Sequence, residues 1–148
     1  MADKLLNEGV ARQVQQAFEQ LQEPVEVLFF GAKSNCEYCD DTRQLVEEVV
    51  SLTDKLSLHV YDLDDDAAIA QEYKIDKAPG MVIAGRAGEQ VLDYGVRIAG
   101  IPAGHEFTSL IHDLLLVSGR DSGLETSTRE FLDTLTQPVH LQVFVTPT

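Results

Sequence analysis

Two hydrophobic rhythms alternate along this chain, and the switches between them mark out its elements. Leu6, Val10, Val14, Ala17, Phe18 and Leu21 recur at three- and four-residue steps. That spacing predicts one apolar face of a helix, with Asn7 as its cap and Pro24 as its stop. Val25-Glu26-Val27-Leu28-Phe29-Phe30 then reads as a strand, and its nearly continuous apolar run suits burial on both faces. After a loop over 31–35, a second helix is expected to begin at the cysteines and run through Leu45, Val46, Val49 and Val50, capped by Ser34 or Asn35. Leu56, Leu58 and Val60 alternate with Ser57, His59 and Tyr61, which predicts a second strand ending near Asp62. Asp64, Asp65 and Asp66 supply caps and negative charge to a short helix bearing Ile69 and Tyr73. Strand, helix and strand at this spacing form a βαβ unit, so the two strands are expected to be parallel.

Pro79 and Gly80 open the apolar run Met81–Ala84, and Gly85-Arg86-Ala87-Gly88 signals a turn. The return strand lies in Glu89–Tyr94 or Val96–Ala99 and closes an antiparallel hairpin. Phe107, Leu110, Ile111, Leu114 and Leu115 predict a helix ending at Gly119. Ser122 and Glu125 fit a capping box for a helix carrying Leu124, Phe131, Leu132 and Leu135, stopped by Pro138. Val139, Leu141, Val143 and Val145 then alternate with His140, Gln142 and Phe144 as a last strand.

This end of the chain repeats its beginning. Leu21, Pro24, Val25 and Phe30 return as Leu135, Pro138, Val139 and Phe144, all at an offset of 114 residues. The repeat predicts a first unit over 1–121 and, over 122–148, the opening helix and strand of a second unit that stops before its own loop. The expected fold class is α/β, a central mixed sheet of about four strands flanked by helices.

With 148 residues, 44% of them hydrophobic and 24% charged, the chain can bury a real core without disulfides or metals. A formal net charge of −14 argues against nucleic acid and anionic membranes as partners. It serves solubility, and functionally it would screen out acidic partners and favour basic ones. No run approaches the roughly 18 apolar residues of a membrane span. The first residues are interrupted by charge and lack a signal-peptide core, so a cytoplasmic location is expected.

The chain holds two cysteines, in Cys36-Glu37-Tyr38-Cys39. Closing so short a loop removes little unfolded-state entropy, so a stapling role is poorly served. The spacing suits a disulfide that opens and closes. A zinc site would need two more ligands, and His105 and His112, seven apart on a helix, are unlike known finger spacings; no metal is expected. Inert buried thiols fit badly beside Asn35, Glu37 and Asp40. With the helix starting at the pair, Cys36 in its first turn faces free N–H groups and the positive dipole end, and Cys39 lies one turn deeper. Cys36 is therefore expected to attack and Cys39 to resolve. Glu37, Asp40 and Asp41 oppose a thiolate there: two unit charges at about 4 Å cost roughly 1 kcal/mol in water, comparable with the dipole's ~0.3–1 kcal/mol. Lys33 could offset one acid. Lys33, Glu37, Tyr38 and Asp40 are the expected tuning residues, and the Cys36 pKa is expected only moderately below the free value of about 8.5.

Taken together, these elements resemble the thioredoxin superfamily, and more closely the glutaredoxin-like protein disulfide oxidoreductases, which carry two tandem thioredoxin-fold units. Cys36–Cys39, Tyr73–Pro79, Gly95–Phe107 and the terminal Pro138–Thr148 carry the resemblance. It implies a thioredoxin-like fold and a thiol–disulfide oxidoreductase acting on disulfide- or dithiol-containing proteins. Electrons would come from a reductase or a small thiol, without a bound cofactor. It also implies a cis Pro79 against the pair, leaving the backbone of Ala78 free to bind an extended substrate. Two departures stand out. Phe30 occupies the place of thioredoxin's buried acid, and the Cys-Pro-Tyr-Cys that would follow the terminal Thr-Pro-Thr is absent. A second reading is therefore a docking or redox-relay module for a partner or for the missing unit. The strand over 139–145 would pair with an edge of the first unit's sheet, or with another copy in a homodimer.

Overall fold

The structure, a computed structural model, describes residues 3–146. Strand β1 (Val25–Gly31) runs up the middle of a four-stranded mixed sheet of order β2-β1-β3-β4. It pairs in parallel with β2 (Leu56–Asp62), from Val25 opposite Leu56 to Gly31 opposite Asp62. It pairs antiparallel with β3 (Gly80–Ala87), which is hairpinned to β4 (Gln90–Ala99). The helices are α1 (Glu8–Phe18), α2 (Cys39–Val50), α3 (Ala67–Glu72), α4 (His105–Gly119) and α5 (Thr126–Asp133).

Alternation along β1 serves two cores at once. Val25, Val27 and Phe29 meet Val14 and Phe18 of α1, Leu45, Val46 and Val49 of α2, and Leu110 and Leu114 of α4. On the other face Leu28 and Phe30 join Val82, Ala84 and Ala70 of α3. Every residue of β1 is buried, as a strand covered on both faces must be. Burying each large apolar side chain here is worth roughly 1.5–3 kcal/mol. Asn7 caps α1 as expected, its side chain accepting from the Val10 N–H at 2.9 Å.

Glu26 is the exception in β1. Its carboxylate is buried, with Arg86 of β3 against one oxygen and His59 Nε2 of β2 at 2.5 Å from the other. Neither oxygen completes a hydrogen bond of ordinary angle, so charge pairing is what compensates its burial.

Several sequence expectations are corrected. Helix α2 begins at Cys39, with Tyr38 as its cap residue, so Cys36 precedes the helix and neither Ser34 nor Asn35 caps it. Asn35 instead takes a left-handed conformation (φ 56°) that turns the chain toward the cysteines. The hairpin turn lies at Gly88 and Glu89, not at Gly85, which stays in β3. Both candidate halves of the return strand belong to one strand, β4, with an irregularity opposite Ile83 and Gly85. The capping box at Ser122 is not formed: α5 starts at Thr126 after Glu125, without a side-chain cap. Residues 139–145, expected as a strand, carry no strand pairing among the described residues. A strand is stable only in a ladder, and among the described residues this segment pairs with neither edge of the four-stranded sheet, which corrects the expected pairing with that sheet. Of the terminal Thr-Pro-Thr, Pro147 and Thr148 lie outside the described residues.

Candidate active site

The site forms where β1 runs out. Gly31 ends the strand, and its carbonyl accepts from the Leu63 N–H at 2.9 Å, pinning the cysteine loop to the turn after β2. A side chain at Gly31 would place its Cβ 3.1 Å from the Phe29 ring and 3.8 Å from Cys39 Sγ, so glycine lets the strand pass close behind the sulfur. Cys36 and Cys39 are joined in a disulfide, their Cα atoms 5.5 Å apart.

The two sulfurs sit in different surroundings. Cys39 is buried at 6% exposure, at the first position of α2, whereas Cys36 is half-buried and lies ahead of the helix. Only one of them is open to an incoming molecule. The helix dipole and its free N–H groups lie nearest Cys39, and Cys36 meets that field from in front rather than from within the first turn.

Thr42, which sequence reasoning passed over, holds this turn. It is fully buried, and its Oγ1 and N–H both donate to the Tyr38 carbonyl, at 2.6 and 2.9 Å. Its signal was available: a threonine four residues after a carbonyl at a helix start can bond back to it.

The flanking charges are organised differently from expectation. Lys33 donates to Asp65, across the loop from the acids of α2, and this contact with the Asp65 charge holds its pKa above the ordinary lysine value. It is thus engaged with Asp65, not with Glu37, Asp40 or Asp41. Asp62 accepts from the N–H groups of Asp65 and Asp64, at 3.1 and 2.9 Å, which lowers its pKa. Asp66 accepts from the Asp62 N–H at 2.8 Å. These aspartates fold the turn rather than form a metal cluster; the described residues contain no group of ligands fit for a metal ion. Glu37, Tyr38 and Asp40 are exposed around the disulfide.

The Ala78–Pro79 peptide bond is cis, with Pro79 buried and Ala78 partly exposed. The Pro79 carbonyl accepts from the Gly100 N–H at 2.8 Å, tying it to the segment after β4. Gly80 follows because a Cβ there would lie 2.6 Å from the Lys77 carbonyl oxygen. His105 and His112 are exposed on α4, and no helix among the described residues is long and apolar enough to cross a membrane.

Known proteins share this fold. The thioredoxin domain family matches residues 24–111. One component of the alkyl hydroperoxide reductase of Staphylococcus epidermidis is 27% identical over 144 residues, covering 97% of this chain and 25% of its own length. Its Pseudomonas aeruginosa counterpart is 30% identical over 129 residues, covering 85% of this chain and 21% of its own. This chain thus spans about a quarter of those relatives. Among solved structures, a protein disulfide oxidoreductase from Aeropyrum pernix superposes with a TM-score of 0.75 at 32% identity, over 91% of this chain and 56% of that one. The NTD_N/C domain of alkylhydroperoxide reductase from Enterococcus faecalis gives 0.73 at 29%, over 84% and 58%. Sheet order, disulfide, cis proline and relatives agree: the chain belongs to the thioredoxin-fold family of disulfide oxidoreductases.

Proposed function

We propose that the chain exchanges disulfides with protein substrates through Cys36-Glu37-Tyr38-Cys39. The observation that carries this reading is the unequal exposure of two sulfurs joined in one bond. Accessible Cys36 thiolate attacks a substrate disulfide, forming a mixed disulfide and releasing one substrate thiolate. Cys39 then attacks Cys36 Sγ, restores the protein disulfide and releases the second. Two electrons pass to the substrate, and a reductase or small thiol returns them. The reverse direction uses the same atoms. Ala78 and Pro79 bind the extended substrate beside the pair, Lys33, Glu37, Tyr38 and Asp40 tune it, and a reducing compartment such as the cytoplasm suits a lone exchangeable pair.

Residues 122–148 are read as the opening of a second thioredoxin-like unit, supported by the repeat and by the apolar residues left exposed from Leu124 to Val145. The same exposure supports a second reading of the chain as a docking or relay module, with a homodimer through this segment as one form of it. The named relatives are components of hydroperoxide reductases, which makes a peroxide-reducing system one destination for the electrons. The test is insulin-type disulfide reduction by the chain itself. Activity abolished by Cys36→Ser, with substrates trapped covalently on Cys36 by Cys39→Ser, is the expected result. An intact but inactive pair would favour the docking reading.

A further inference from the structure

The charges beside the disulfide are uncompensated, and this is a property of the fold beyond net acidity. On the helix side, the exposed carboxylates of Glu37, Asp40 and Asp41 have no ion-pair or hydrogen-bond partner among the described residues. The turn after β2 adds the Asp64 carboxylate, likewise exposed and, among the described residues, unpaired. That turn is fixed against the cysteine loop by the Leu63 N–H on the Gly31 carbonyl and by Lys33 on Asp65. The two lysines flanking the cysteine loop and the cis proline are both engaged: Lys33 by Asp65, and Lys77 by Asp76 at 2.8 Å. An incoming disulfide therefore meets unpaired carboxylates both on the segment that carries the cysteines and on the turn tied to it, while Lys33 and Lys77 are already paired.

Resting on the oxidoreductase reading, we infer that the site selects its disulfide by charge, accepting cationic or neutral partners and disfavouring anionic ones such as glutathione. The chemistry is the exchange already described, in which reduced Cys36 and Cys39 convert RSSR to two RSH and become the disulfide. Repulsion acts twice on an anionic substrate, on its approach and on the mixed disulfide, which brings its carboxylates beside Glu37 and Asp64. Fields of this kind change association rates by about 10 to 10³ and weaken with salt.

The experiment uses the full chain, reduced beforehand and freed of reductant, in single-turnover reaction with three disulfides: cystamine (cationic), hydroxyethyl disulfide (neutral) and oxidised glutathione (anionic). Each rate is divided by that of the same disulfide with free dithiothreitol, which removes differences in leaving-group reactivity. The expected order is cystamine, then the neutral probe, then glutathione. The spread should be about tenfold or more at low ionic strength and shrink to about twofold in high salt. Asp64→Lys should cut the cystamine-to-glutathione ratio by about threefold or more and leave the neutral probe unchanged. Asp41→Asn, also on an exposed side chain, should move the ratio the same way by less. Equal normalised rates, or a spread insensitive to salt and to both variants, would overturn the charge selection and leave the oxidoreductase reading standing. Failure to react with the neutral probe would overturn both.

Discussion

Two stretches of this chain carry the same helix–proline–strand signature and meet opposite fates. Val25–Phe30 is at most 3% exposed, whereas Leu141, Val143 and Phe144 lie between 85 and 88% exposed. The difference is not in apolar content but in what surrounds each copy. The first has β2 and β3 as neighbours and helices on both faces; the second, among the described residues, follows a helix with no buried residue and pairs with no strand. A strand pattern states what a segment can do, and neighbouring strands decide whether it does so.

The sharpest way to break this comparison is at its equivalent phenylalanines. Phe30→Ala removes a fully buried ring between two strands and α3 and should cost about 3–5 kcal/mol. Phe144→Ala should stay within about 0.5 kcal/mol, as expected for an exposed position outside any network. Urea unfolding of both variants measures the contrast. A cost at Phe144 approaching that at Phe30 would mean that the tail is packed in solution.

A second prediction concerns the one charge that β1 buries. Arg86→Met leaves the Glu26 carboxylate with only His59 and should cost about 3 kcal/mol. Adding Glu26→Leu to that variant should recover most of the loss, because a well-packed apolar pair often equals or exceeds a buried ion pair. Non-recovery would show that the acid fixes strand register rather than merely tolerating burial.

That cluster also shows where sequence reading stopped. Most helices, the parallel β1–β2 pair and the β3–β4 hairpin were legible because apolar period and turn residues encode them locally, whereas the strand order was not. Glu26 sat in plain view inside an apolar run, but its partners Arg86 and His59 come from strands 60 and 33 positions away. At the site, the cysteine pair and the cis Ala78–Pro79 bond were legible from motif and resemblance. The pairing of Lys33 with Asp65 rather than with the acids of α2 was not, since it depends on how the turn after β2 folds back. Helix α2 starting at Cys39 was missed for a related reason: Ser34 and Asn35 are good caps by type, yet the disulfide turn occupies the intervening residues.

A smaller effect is expected where the N-terminal segment meets α2. The Glu48 carboxylate accepts the N–H groups of Leu5 and Leu6 at 3.0 and 2.8 Å, and an amide N–H of Gln44 at 2.9 Å. Burial alone would raise its pKa, but these hydrogen bonds and the Lys4 charge outweigh it and leave the group below the usual range. With the folded pKa depressed, its contribution is present above the unfolded value of about 4.3 and is lost as pH falls through the folded one. Glu48→Gln should cost about 1 kcal/mol at neutral pH, discounted for solvent screening, and flatten the acid limb of stability against pH. An unchanged acid limb would assign the pH dependence to other carboxylates.

The smallest expected change comes from the largest deletion, and it returns to the two copies. Ending the chain after Asp121 removes α5 and the whole exposed apolar tail, but keeps the Arg120 and Asp121 N–H bonds that close α4 on Val117 and Leu116. It also keeps Ser118, whose hydroxyl donates to the Glu23 carbonyl at 2.7 Å and anchors the approach to β1. The unfolding midpoint should therefore shift by no more than about 2 °C, since few contacts cross the cut. Association should change more than stability does, because exposed apolar surface of this extent recruits partners. Sedimentation of both lengths separates the readings of the tail. A dimer reduced to monomer by the deletion assigns its partner to a second copy. Monomers at both lengths with equal midpoints would speak against the dimer and favour the proposed second-unit reading of the segment. A large fall in midpoint would show that the second copy of the motif supports the first, and the contrast between them would fail.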